Sequence, residues 1–198
     1  RVVPIRFACT AAGTVGAVTA AALVGIAALV LVNAFFVAAE FALVSVRRGQ
    51  VQGGSLASRL ARRQQGKLDE YLAACQLGIT IASLALGALG EPTIASLLEP
   101  VVSSTPLRHV AAVTATILAL LIMTALHITV GEQAPKSFAI GSADRVLAVC
   151  TLPLEAFHRL LRPLVLLLNS ASNGLVRALG GTPATGHGSS ATLDELRH

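Results

Sequence analysis

Three stretches of this chain are long, apolar and nearly free of charge, and they decide its solvent. From Phe7 to Val46 there is one acid, Glu40, and no base; Tyr71–Gly90 carries no charge, and neither does Val110–Gly131. A helix that crosses the hydrocarbon core of a bilayer needs about 20 apolar residues. The composition agrees: 54% of the residues are hydrophobic and 13% charged, against about 25% charged in soluble domains, and the mean hydropathy is +0.73. In lipid every backbone polar group must be satisfied inside the protein, so an all-α polytopic membrane domain follows.

The first span is expected as one long helix, roughly Gly16–Val46, after a short apolar N-terminal segment. Arg47, Arg48, Arg59, Arg62, Arg63 and Lys67 then crowd one connection. By the positive-inside rule this connection is cytoplasmic. Within it Leu56–Leu68 reads as a basic amphipathic juxtamembrane helix with Leu56, Leu60 and Ala61 on one face, a solvated loop being the alternative. Tyr71–Gly90 is the second span, and Glu91-Pro92 is expected to end it. Residues 91–109, with Pro92, Pro100 and Pro106, form the outer connection, including a short helix at Thr93–Leu98. Val110–Val130 returns to the cytoplasm.

Residues 145–180 are apolar but interrupted. Arg159 and Arg162 would be costly in the middle of a span. Two shorter helices at the inner face, Asp144–Leu161 and Pro163–Leu179, are expected instead. After Gly180 comes a Gly/Thr/Ser linker, and Thr192–Leu196 reads as a capped helix start. The chain begins at Arg1, so it reads as a portion of a longer protein, with its N-terminus outside and its C-terminus in the cytoplasm. The formal charge of +5 comes from bases that flank the spans; no aromatic–basic interleaving points to nucleic acid. Cys9, Cys75 and Cys150 are far apart and form no CxxC, so they read as buried thiols.

Chemistry concentrates where the third span ends. Glu132, Pro135 and Lys136 follow the uncharged run within a few positions. Proline has no N–H, so in an α-helix the carbonyl of Gly131 loses its i+4 donor. A bare carbonyl beside a carboxylate suits a small hard cation. The alternative is structural, with Glu132 paired to Lys136 at i+4. His127, five residues before Glu132, falls on another helix face and reads as a hydrogen-bonding or packing residue; without an HxxxH or Cys partner there is no transition-metal pattern.

Other polar positions lie within the spans. Asn33 and Glu40 share a face of the first helix. Asn33 reads as interhelical hydrogen-bonding glue. Glu40 either sits at the interface beside Arg47 and Arg48 or takes part in ion binding. Gln76, Thr80 and Ser83 form a polar stripe that either faces protein and a cavity or bonds its own helix carbonyls. Ala17/Ala21/Gly25 and Ala74/Gly78/Ala82 are small-residue faces that admit a close helix neighbour, or chance products of Ala-rich spans. No nucleophile–base arrangement, phosphate loop or HExxH occurs, so no enzymatic activity is expected.

In order, NAFFVAAEFAL (Asn33–Leu43), CQLGITIASLALG (Cys75–Gly87) and VGEQAPK (Val130–Lys136) resemble the motifs of the CorC/CNNM transmembrane domain, with the match running through residues 30–180. The resemblance implies three transmembrane helices per chain plus juxtamembrane helices, a homodimer, and the plasma (inner) membrane of a prokaryote. It implies a magnesium ion, Mg2+, bound from the cytoplasm and exported with coupling to sodium, Na+. It places the transmembrane domain at 1–180, with 181–198 leading toward ATP-binding cystathionine-β-synthase-type domains that are absent from this chain.

Carried onto this chain, the resemblance assigns Glu132 as the motif carboxylate and Gly131 and Pro135 as the kinked helix end. Gly78, Thr80 and Ser83 fall in the second-span motif. Where many relatives carry a serine before the first-span glutamate, this chain has Ala39, leaving only a backbone carbonyl to ligate. That departure keeps a second function open beside the transporter: a membrane sensor or scaffold that no longer transports.

Overall fold

The structure is a computed structural model that describes residues 6–46, 54–104 and 110–181, with side chains described from residue 19 onward. The described residues are helical, without a strand. Helix α1 covers Arg6–Ser45, α2 Leu56–Gly66, α3 Leu68–Ser103 and α4 Ala111–Leu126; a π-helical turn at His127–Gln133 leads into α5, Ala134–Gly141, and α6 covers Ala143–Ala178. The expected helix start at Thr192, the linker beyond 181, and Arg47, Arg48, Pro106 and Arg108 lie outside the described residues.

Three helical runs are long and apolar enough to cross a membrane: Thr19–Ser45, Leu68–Ser103 and Ala111–Gly141. Their outer surfaces are what a lipid solvent calls for. Leu31, Val32, Leu84, Val113, Leu121 and Ile122 are exposed, an arrangement costly in water and neutral against acyl chains. At about 1.5 Å rise per residue, the 36 residues of α3 exceed the hydrocarbon thickness, so part of α3 extends beyond it.

Two expectations are corrected here. Glu91-Pro92 does not end the second helix, which continues through Pro92 and Pro100 to Ser103. Thr93 Oγ1 donates to the Leu89 carbonyl at 2.6 Å and Ser96 Oγ to the Thr93 carbonyl at 2.8 Å. A full break in apolar surroundings would strand more backbone groups than one proline removes. Likewise 145–180 is one helix, not two, running through Pro153 and Pro163. Its buried positions Leu147, Thr151, Leu154, His158 and Val165 recur at helical spacing on both sides of Pro153 and past Pro163. That single packed stripe outweighs the local cost of each ring.

The chain forms two compact units, Arg1–Val37 with Gly78–Ser137, and Ala38–Leu77 with Phe138–His198. The first is built on close helix contacts. Ile26, Val30, Leu86 and Met123 form its buried cluster, with Leu29, Leu89 and Ile94 against it. The small-residue face holds at Gly78, where a Cβ would lie 2.6 Å from the Phe36 ring, and at Gly25, where it would lie 3.1 Å from Leu89. Ala82 is buried with them.

The second unit is held by buried polar bonds. In α2, capped by Ser55 Oγ on the Ser58 N–H, the buried face is Ala61, Gln64 and Gln65; Leu56, expected on one face with Leu60 and Ala61, is 56% exposed. Gln64 Nε2 donates to the Thr151 carbonyl at 2.8 Å, and Gln65 Nε2 to the Val46 carbonyl at 3.0 Å. Tyr71 donates to Glu155 Oε2 at 2.5 Å, and Arg159 Nε to Glu155 Oε1 at 2.7 Å. Cys75 and Cys150 are buried and unpaired, as expected, and burial pushes the Cys150 thiol up to about 11.

Burial pushes Glu155 up, but the bonds from Tyr71 and Arg159 and the charges of Arg159 and Arg63 outweigh it, leaving Glu155 below its ordinary 4.5. For His158, burial is the main cause and holds it below 6.5, against the pull of Glu70 and Glu155; Arg162 and Lys67 lower it further. In both cases the unfolded chain binds more protons, so stability rises with pH through each window. Thermal unfolding should therefore show stability lost as pH falls through His158's range and again through Glu155's, and Glu155→Gln should flatten the lower step. Gly78→Ala should destabilise the chain by about 1–3 kcal/mol as the Phe36 ring is displaced. Gly87→Ala, with nothing within 4 Å, should not destabilise it; unfolding in detergent compares the two.

Candidate functional site

Within the first unit, α1, α3 and the π-helical turn bring polar groups together. Asn33, fully buried on α1, donates from Nδ2 to the Gly131 carbonyl at 3.0 Å. Its Oδ1 accepts from Ser83 Oγ of α3 at 3.2 Å. Ser83 Oγ also lies 3.2 Å from His127 Nε2, which is 3.5 Å from Glu132 Oε1. A hydroxyl has one proton. Since Ser83 gives its proton to Asn33, the Ser83–His127 bond requires His127 to carry its proton on Nε2. The bonds thus run in one direction, from His127 to Ser83 to Asn33 to the Gly131 carbonyl.

The π-helical turn makes this possible. In it the Ala134 N–H reaches back five residues to the Thr129 carbonyl, in place of the α-helical four. That wider turn puts His127 and Glu132, five apart, on the same side. The expectation that His127 lies on another face is therefore corrected: it is a member of the cluster. The bare Gly131 carbonyl is also corrected, because Asn33 supplies the donor that Pro135 lacks. Gly131 itself is required by space: a Cβ there would sit 2.9 Å from His127 Cδ2 and 3.2 Å from Asn33 Nδ2.

The remaining expected residues divide. Gly78 is buried against Phe36, where it sets helix approach, and Thr80 is exposed on α3. Pro135 and Lys136 are half-buried in α5. Ala39 is fully buried and Glu40 half-buried, and both belong to the second unit. Glu132 is half-exposed, with 42% of its side chain accessible, so it is neither sealed in protein nor wholly in solvent.

Beside the cluster lies a cavity of about 110 Å³, lined by Ser83, His127, Thr124 and Glu91 together with Leu86 and Met123. It has room for a few water molecules. Glu91 was read from sequence only as a helix-ending residue; its place here follows from α3 continuing past Pro92. The donors are oxygens with one imidazole, and no group of three or more His, Cys, Asp or Glu side chains suited to a metal occurs among the described residues. Such a set suits a hard, partly hydrated cation better than zinc or copper. Asn33→Ala strands the Gly131 carbonyl and Ser83 at once, whereas Ser83→Ala removes a weaker link. The first should cost about 1–3 kcal/mol and the second clearly less, as read by unfolding in detergent.

A family model described as the cyclin M transmembrane N-terminal domain matches residues 7–198. Among curated proteins, UPF0053 protein YhdT of Bacillus subtilis is 41% identical over 180 residues, covering 88% of this chain and 39% of that protein. UPF0053 protein YhdP of the same organism is 39% identical over 183 residues, covering 88% and 40%. An uncharacterised protein of Mycobacterium tuberculosis, Rv1841c, is 36% identical over 160 residues, covering 78% and 45%. The chain thus spans about two fifths of the length of these relatives. With three apolar helices of membrane-crossing length and a family match over nearly its whole length, the chain belongs to the cyclin M transmembrane N-terminal domain family.

Proposed function

We propose that this domain handles the cation in a magnesium transporter that exports the ion with sodium coupling. The observation that carries the reading is Glu132 on the π-helical turn, 3.5 Å from His127, which joins it to Ser83, Asn33 and the Gly131 carbonyl. Magnesium takes about six oxygens and sheds water reluctantly, so a few protein oxygens around a hydrated ion suffice. The ion is the cargo, and the site holds it only in passing. An approaching cation would compete for Ser83 Oγ and Asn33 Oδ1, which bond one another in this structure. Turning the Ser83 hydroxyl would free both oxygens, with His127 still able to donate to Ser83. The proposal includes a homodimer, whose second copy adds a second Glu132, and an orientation with residues 47–70 in the cytoplasm.

A second reading is a family member that no longer transports. It is favoured by the cluster satisfying itself without an ion and by Ala39, which offers no hydroxyl. Proteoliposomes loaded with a magnesium-sensitive dye separate the readings. Under the transporter reading, the chain moves magnesium down an imposed sodium gradient, Glu132→Ala abolishes that flux with the dimer intact, and Ala39→Ser raises it. Flux that is absent in the parent chain and stays absent in Ala39→Ser would establish the second reading.

A further inference from the structure

The second unit contains a cavity that the ion site does not use. It has a volume of about 220 Å³ and is enclosed by the end of α2, the first turn of α3 and the middle of α6. Four cations face it against two carboxylates. The carboxylates are spoken for. Glu70 takes Lys67 Nζ at 3.0 Å, and buried Glu155 takes Tyr71 and Arg159 Nε, with Arg63 Nη1 3.7 Å away. Donor capacity is left over. Arg159 engages Glu155 through Nε alone, which leaves its terminal nitrogens, and Arg162 forms no ion pair among the described residues.

His158 supplies a second, independent observation. Its side chain is only 7% exposed, and Nε2 is a buried nitrogen with no hydrogen-bond partner. The nearest carboxylate oxygen, on Glu70, is 3.6 Å away, too far for a hydrogen bond. The ring is held against Tyr71, with centroids 4.3 Å apart, so it cannot swing out to water without breaking that contact. A buried polar atom without a partner is rare and costly in a native fold. Here it lines a cavity that also receives unspent guanidinium donors.

We propose that this cavity binds a phosphate group, carried either by an anionic phospholipid headgroup or by a soluble phosphate. Planar guanidinium forks match phosphate oxygens, and charge-assisted bonds to them are short and strong. Arg162 and the free nitrogens of Arg159 grip the anion from its open side, and His158 Nε2 donates from the buried side. The compact volume fits one such group with its water and is too small for a peptide. The location suits both sources. Lys67 immediately precedes Leu68, where a helix of membrane-crossing length begins, which is headgroup depth for a lipid and solvent-accessible for a soluble ion. On α6 the exposed Leu160, Leu164 and Leu167 offer apolar surface for acyl chains beside the basic cavity.

The test uses the chain in nanodiscs of phosphatidylcholine alone or with added phosphatidylglycerol, and separately titrates inorganic phosphate into the phosphatidylcholine form. The His158 imidazole resonance reports occupancy, and native mass spectrometry counts retained lipid. Arg162→Gln, an exposed position expected to fold, should weaken binding about tenfold. Arg145→Gln, exposed on the same helix outside the cavity, should leave it unchanged. A His158 shift and retained phosphatidylglycerol without response to inorganic phosphate assign the site to lipid; response to inorganic phosphate assigns it to a soluble ligand. If neither probe moves His158, or if Arg162→Gln and the parent chain respond alike, the proposal is overturned. Because Glu132 is untouched, magnesium flux in Arg162→Gln tests the ion site separately.

Discussion

The bond from Asn33 to the Gly131 carbonyl is the constraint around which the first unit is arranged. In lipid no water rescues a backbone group, and a proline four residues on removes the normal donor. A side chain from another helix must supply it. Asn33 does so from a fully buried position. Residue 131 has no side chain, and a Cβ there would crowd both Asn33 and His127. Glycine at 131, proline at 135 and asparagine at 33 therefore answer a single problem of backbone satisfaction.

That solution has a chemical consequence. The π-helical turn that accommodates the lost bond shifts helix register by one residue, and so carries His127 to the side of Glu132. Ser83 closes the chain of bonds and fixes the imidazole proton on Nε2. A carboxylate, a hydroxyl, an amide oxygen and a carbonyl are thus linked in one cluster, beside a small cavity that Ser83 and His127 line, where α1, α3 and α4 otherwise pack through Ile26, Val30, Leu86 and Met123. Under the proposed function, these oxygens, already oriented by one another, would lower the cost of gathering ligands around an ion.

The second unit uses different means. Its helices are amphipathic, and buried side-chain amides, a phenol and a carboxylate tie them together. Glu155 draws one phenol and two guanidinium groups toward a single buried point, so this assembly depends on pH where the first unit depends on shape. The same attraction concentrates positive charge around a small cavity.

The sequence alone determined the solvent, the number of spans and the position of the motif acid. Those depend on composition and on uncharged length, which are local quantities. It also identified Asn33 as a link between helices, because an amide deep in an apolar run has to find a partner. It misjudged where helices stop: Pro92, Pro153 and Pro163 are strong local breakers, yet each lies within a helix held by packing on either side. The face on which His127 lies was likewise illegible, since an α-helical wheel assumes four-residue hydrogen bonds and the π-helical turn uses five. Only the tertiary structure decided which donor reached Gly131, which acid lined the cavity and which nitrogen of the second unit was left unpaired. Each of those depends on distances between segments far apart in the chain, and no local pattern encodes them.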